Sequence, residues 1–332
     1  MNVTSHADGD LRSVVLQSGD HVEGDLFVDC TGPRSLLVGR HFGVEFVSAK
    51  DVLFNDAAIA VQVPYAKPGE PIASATHATA VANGWIWDIG LQSRRGIGHV
   101  YSTAHCRESD AMATVRRYIG RVAPRAKLDE LSFRNIPFEP GHRRSFWVRN
   151  CVAVGLSGGF IEPLEASALA LIEQSAELLS RQLPVNREIM SVVAERFNAK
   201  MGYHWKRVIE FLKLHYAVSR RSDSDYWNAH RDASTWPVEL RDKLILWQQQ
   251  APWHDDAPRV DELFPSASYQ YVLYGMGFRP KYPQDAAPTP GRATERLDAI
   301  LHANNEKARQ MLSLLPTNRE LVNATLAMTD VA

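Results

Sequence analysis

At 332 residues, 45% hydrophobic and 23% charged, the chain has the composition of a soluble globular protein able to bury a large core, as one big domain or two ordinary ones. A formal net charge of −1, with Lys and Arg scattered among acids, gives no argument for nucleic acid or an anionic membrane as partner. No apolar run reaches membrane-span length and the first residues lack the pattern of a secretion signal. Cys30, Cys106 and Cys151 lie far apart without metal-ligand spacing, so a cytoplasmic, disulfide-free protein without a metal site is expected.

In chain order, Asn2 to Ser5, Leu11 to Gln17 and Asp25 to Cys30 read as short strands, separated by turns at Asp8-Gly9 and Ser18-Gly19-Asp20. A chain that opens on strand pairs with no element to cover them is expected to lack something upstream. From about Val44 to Thr103 the pattern is mostly strand, with strict alternation over Trp85-Ile86-Trp87-Asp88-Ile89. Gly96 to Tyr101 is its hairpin partner, across a turn at Ser93-Arg94-Arg95. Asp110 to Val122 reads as helix. Ser145 to Val154 reads as a single strand leading into the small-residue loop Gly155 to Phe160.

After Pro163 the period becomes helical, with Leu164, Ala168, Leu171, Ile172, Leu178 and Leu179 on one stripe that ends at Pro184. Ile189 to Ala217 and Trp236 to Gln249 continue as helix, and Pro280 to Pro290 reads as loop. Two helices close the chain, the last opened by a capping box of Thr317 and Glu320.

Three segments carry chemical interest. Gly24 to Gly32 is a buried strand ending in a Thr-Gly turn, which lets backbone approach a ligand or is simply a turn. Val152 to Glu165 runs from strand through Gly-rich loop into a helix start, where free N–H groups favour an anion. Glu162 and Glu165 read there as either helix-capping acids or catalytic groups. Trp85 and Trp87 share one strand face, as core or as a binding wall.

Taken together, Phe27 to Ser35, Gly84 to Ile89 and Gly159 to Ser167 resemble, in order, signature segments of the flavin-dependent tryptophan halogenases. Phe211-Leu212-Lys213-Leu214-His215-Tyr216, then Arg221 to Trp227 and Ser268 to Pro280, extend the resemblance over nearly the whole chain. It implies an α/β (α+β) fold: a partial FAD-binding Rossmann-like domain of the hydroxylase and halogenase type, a substrate-binding β-sheet and a C-terminal helical region. It also implies FAD as FADH2 from a separate flavin reductase, with chloride or bromide as co-substrate. Hypohalous acid then passes through a tunnel to a small, electron-rich aromatic substrate.

By the same resemblance Glu165, the acid of the P-L-E motif, polarises the halogenating species or accepts the ring proton, which suits a carboxylate in a partly dry pocket. The halide would sit on the backbone amides of Ser167 and Ala168. Thr31, Gly32, Gly155, Ser157, Gly158 and Leu169 would lie on the flavin side. Trp85 and Trp87 match a W-x-W-x-I-P motif that keeps substrate away from flavin and suppresses direct monooxygenation. Gly90 replaces that motif's Pro, and Ala168 stands where tryptophan-specific members often carry Gly. These departures point to indole or another aromatic rather than free tryptophan as substrate. A homodimer is a further implication.

No G-x-G-x-x-G occurs in the chain, and no lysine can be assigned the family's catalytic role. The expectation is therefore a catalytically incomplete chain, with Met1 an internal or displaced start, that exposes sheet edges and aggregates. Residues 1–40 then form a remnant of the FAD-binding domain, 41–140 the substrate-side sheet, 141–184 the FAD-binding strand, loop and helix, and 185–332 the helical region. The alternatives are an FAD-dependent aromatic monooxygenase, since one flavin fold hosts many chemistries, and a non-catalytic remnant.

Overall fold

A computed structural model describes residues 2–281 and 292–329. The first sheet is an antiparallel meander of β1 (Asn2–Ser5), β2 (Leu11–Val15) and β3 (His21–Glu23), reversed at Gly9 (φ 90°) and Gly19 (φ 92°), backbone conformations that a side chain resists. The second strand stops at Val15, short of the expected Gln17. The turn at Gly19 returns the chain at once, so that His21–Glu23, given no element in the sequence analysis, pairs with it. β4 (Phe27–Asp29) departs from this meander.

The run from Ser145 to Val154 is not one strand. It folds into β12 (Trp147–Val148) and β13 (Cys151–Ala153), antiparallel around Arg149 in the left-handed region (φ 55°). Buried Asn150 holds the reversal through tertiary bonds: its Oδ1 accepts from Leu11 N (2.9 Å) and its Nδ2 donates to Leu11 O (2.8 Å). β13 lies parallel to β4, matching Ala153 with Asp29 at the strand ends. β5 (Phe46–Ser48), β11 (Gly141–Arg143) and β14 (Gly159–Phe160) make another small sheet.

The largest sheet is antiparallel, in the order β10 (Phe133–Pro137), β6 (Ala57–Pro64), β9 (Arg94–Tyr101), β8 (Gly84–Gly90), β7 (His77–Val81). Arg94 and Arg95, expected in the β8–β9 turn, already belong to β9. The two-residue period sorts the side chains. Ile59, Val61, Ile86 and Ile97 pack against Val115 and Ile119 of α1 (Glu108–Val122). Ala58, Trp85 and Val100 face the opposite way, into a core shared with α2 (Ser167–Arg181) and α3 (Met190–Ala217). Burying each large apolar side chain contributes about 1.5–3 kcal/mol.

α4 (Asp225–Arg231), α5 (Val238–Trp247) and α6 (Ser266–Gly275) pack around α3, with Phe211 and Leu214 meeting Leu240, Trp247 and Tyr269. The Pro-rich stretch lies outside the described residues from 282 onward. α7 (Arg292–Leu314) and α8 (Asn318–Thr329) follow. The capping box is present: Thr317 N and Oγ1 each donate to Glu320 Oε2 at 2.8 Å, and Glu320 N returns to Thr317 Oγ1 at 3.3 Å. No helix among the described residues is long and apolar enough to cross a membrane.

Candidate functional site

The parallel pairing of β4 with β13 sets two turns side by side at their ends. Asp29 is buried where the turns meet. Its Oδ1 accepts from Thr31 N (3.0 Å), Thr31 Oγ1 (2.6 Å) and Ser157 Oγ (3.0 Å), and its Oδ2 accepts from Leu37 N (3.0 Å) and Val38 N (2.9 Å). Burial pushes this carboxyl up, but the bonds from Thr31, Val38 and Leu37 outweigh it and hold the group below the usual carboxylate range. Ser157 Oγ also lies 3.2 Å from Gly32 O. Thr31, Gly32 and Ser157 are thus brought together, with Gly155 and Gly158 on the same turn. Leu169 lies apart from that knot, on the first turn of α2 and 70% exposed.

Beyond β14 the chain does not enter a helix directly, as the stripe beginning at Leu164 led one to expect. Glu165 (φ 60°, ψ 14°) and Ala166 (φ 53°, ψ 23°) are consecutive left-handed residues, each costing about 1–3 kcal/mol, and α2 starts only at Ser167. Neither acid caps a helix. Ala166 stands at the cap position of α2 and offers no capping side chain, while Ser167 Oγ turns back to Leu164 O at 3.2 Å. The first amides of α2, those of Ser167 and Ala168 among them, therefore lack a side-chain cap and favour an anion.

Glu165 is 43% exposed, with Oε1 3.1 Å from His215 Nε2. His215 Nδ1 lies 2.9 Å from Phe211 O, an oxygen that only accepts, so Nδ1 carries a proton. The bond to Glu165 then needs one further proton, on the imidazole or on the carboxyl. The hydrogen bond from His215 holds the Glu165 carboxyl below its ordinary range, against a smaller opposing effect of burial.

Glu162 is 1% exposed. Its Oε2 accepts from Trp85 Nε1 (2.8 Å), Asn55 Nδ2 (2.7 Å) and Tyr216 OH (2.8 Å), whereas Oε1 has no partner among the described residues. Tyr226 OH donates to Asn55 Oδ1 at 3.0 Å. Burial pushes the carboxyl up, and the bonds from Trp85, Asn55 and Tyr216 only partly counter it. Trp85 is both core and ligand to this acid. Trp87 is half-buried, its ring 6.3 Å from that of Trp85, and lies over Gly98, where a Cβ would come 2.0 Å from the indole.

Behind Tyr216, buried Lys213 donates from Nζ to Val52 O (2.9 Å) and lies 3.0 Å from His230 Nδ1; burial pushes it down to about 7. Asp29, Asn55, His215 and Tyr216 carry no role in the sequence reading. His215 and Tyr216 stand in the Phe211–Tyr216 segment, so the signal was present without its geometry.

The chain matches the family model described as tryptophan halogenase over residues 1–290. It is 34% identical to tryptophan 6-halogenase SttH of Streptomyces toxytricini over 315 residues, covering 94% of this chain and 58% of that protein. The crystal structure of a tryptophan halogenase from Shewanella frigidimarina superimposes with a TM-score of 0.89 at 44% identity, covering 97% of this chain and 60% of that one. BrvH, a flavin-dependent halogenase from a Brevundimonas species, gives 0.85 at 33% identity, covering 97% and 63%. The chain thus spans about three fifths of the length of such relatives.

Proposed function

Because the chain belongs to the tryptophan halogenase family, we propose that it serves flavin-dependent halogenation of an indole-like or tryptophan-like aromatic, with Glu165 at the reacting ring. The observation that carries this reading is the placement of Glu165. Its half-exposed carboxylate sits on a left-handed turn between Glu162, which binds Trp85, and the uncapped start of α2.

The residues present fit a flavin on the strand-end side. Among the described residues a Cβ at Gly32 (φ 77°) would meet nothing within 4 Å, and Leu156 is an exposed apolar residue on the Gly155 turn. Thr31, Gly32, Gly155, Ser157, Gly158 and Leu169 would hold it. Bound as FADH2, the flavin supplies, with dioxygen, the oxidation that makes chloride or bromide electrophilic. The amides of Ser167 and Ala168 hold the halide, and Trp85 and Trp87 wall the substrate side. At the aromatic ring a π electron pair forms the carbon–halogen bond. The displaced hydrogen leaves as a proton to the Glu165 carboxylate, and its bonding pair restores aromaticity. The His215 imidazole lowers the cost of holding Glu165 ionised beforehand. A separate flavin reductase, assembly as a homodimer and a cytoplasmic location complete the proposal.

The test supplies the chain with a flavin reductase, FAD, indole and bromide and follows product by mass spectrometry. Bromoindole that depends on bromide, and falls about a hundredfold or more in Glu165→Gln, is the expected result. Oxygenated indole formed equally without halide would replace this reading with the monooxygenase one. Absence of any product, together with no saturable FAD binding, would leave the chain non-catalytic.

A further inference from the structure

Two carboxylates three residues apart are held by two adjacent residues of one helix. His215 and Tyr216, neighbours on α3, bond Glu165 (3.1 Å) and Glu162 (2.8 Å) respectively. Between the acids lie Pro163 (φ −75°) and Leu164, and Glu165 itself is left-handed. The span is short and confined, so fixing Glu162 fixes the origin of the Glu165 side chain. Glu162 is fixed from three directions: Trp85 on β8, Asn55 before β6, and Tyr216 on α3.

A fully buried carboxylate is costly, and an apolar side chain of its size is commonly neutral or better for stability. An acid here therefore needs another reason. We infer that Glu162 is a positioning residue. With Tyr216 it forms the second half of a double clamp, whose first half is the bond to His215, that sets the position of the Glu165 carboxylate. The inference rests on the proposed role of Glu165 and adds how that role is held in place. A displacement of about 1 Å at a reacting group can cost on the order of a hundredfold in rate.

Two variants weaken the clamp without emptying the site. Tyr216→Phe removes one donor and keeps the ring that stacks on His230 at 4.2 Å. Glu162→Gln leaves one oxygen for the same three donors, so it weakens their bonds by removing the charge and puts an NH2 where Oε1 has no partner among the described residues. In each, kcat for bromination is expected to fall about tenfold, with KM for indole changing less than twofold. Neither should add to the loss in Glu165→Gln, because both act through that residue.

The second readout needs no turnover. In NMR spectra the His215 ring signals, assigned with His215→Asn, should move in both variants, while the thermal transition stays cooperative. Unmoved His215 signals, unchanged kcat, or losses that multiply with Glu165→Gln would each overturn the inference. If the wild-type chain makes no bromoindole, the halogenase reading fails, and the His215 signals alone decide whether the clamp sets Glu165.

Discussion

Replacing Asp29 with Asn tests whether one buried carboxylate ties the two strand-end turns together. In one orientation the new amide keeps an oxygen toward Thr31 and Ser157 and turns its NH2 toward Leu37 N and Val38 N, stranding two buried donors. In the other, the hydroxyls of Thr31 and Ser157 rotate to accept from the NH2, and only Thr31 N is stranded. The second is cheaper. It costs about 1–3 kcal/mol for the stranded N–H, and the surviving bonds lose charge assistance, for a total of about 2–4 kcal/mol.

Urea unfolding at pH 7 measures that difference, and its pH dependence checks the cause. The folded-state pKa of Asp29 is depressed, so the unfolded chain binds more protons over the window between the two values. The contribution is complete above the unfolded value of about 3.9 and is lost as pH falls through the folded one. The gap between wild type and Asp29→Asn should therefore close in acid. Stability within about 0.5 kcal/mol of wild type at pH 7 is no more than an ordinary surface substitution costs. That result, or a gap indifferent to pH, would refute the reasoning.

Gly98→Ala puts a methyl where the Trp87 indole lies, 2.0 Å from Cζ2, and should expel that ring. The expected loss of about 1–3 kcal/mol, with a changed tryptophan emission spectrum, fails if both stay at wild-type values. Lys213 is lowered to about 7 by burial, so between that value and its unfolded one the unfolded chain binds the extra proton and stability rises with pH. Lys213→Met should remove that rise in denaturation curves taken from pH 7 to 10, and a rise that persists would assign it elsewhere. Thr317→Ala should cost about 0.5–2 kcal/mol in α8, read as loss of amide protection confined to Asn318–Thr329; protection unchanged there would show that the cap carries no stability.

Much of the layout is legible in the residues because it rests on local rules. Alternation from Trp85 to Ile89 specifies a strand with both indoles on one face, and Thr317 with Glu320 specifies a helix start. Where local rules misled, tertiary contacts had intervened. The apolar run from Ser145 to Val154 has no turn signal strong enough to break it, and the reversal at Arg149 is held by Asn150 bonding Leu11, 139 residues away. The helical stripe from Leu164 suits a continuous helix, yet two left-handed residues delay its start until Ser167.

The candidate site divides the same way. By itself the sequence determines the order of the motifs, the family they belong to, and the acid of the P-L-E segment, since these depend on residue type and spacing along the chain. The tertiary structure alone decides that Glu162 binds an indole rather than capping a helix, that Asp29 joins two turns, and that His215 and Tyr216 take one acid each. The physical reason is range. A helix cap or a strand face is set by atoms within a few residues, whereas a buried carboxylate takes whichever donors the packed core brings to it, and Glu162 draws its donors from 54 to 107 residues away.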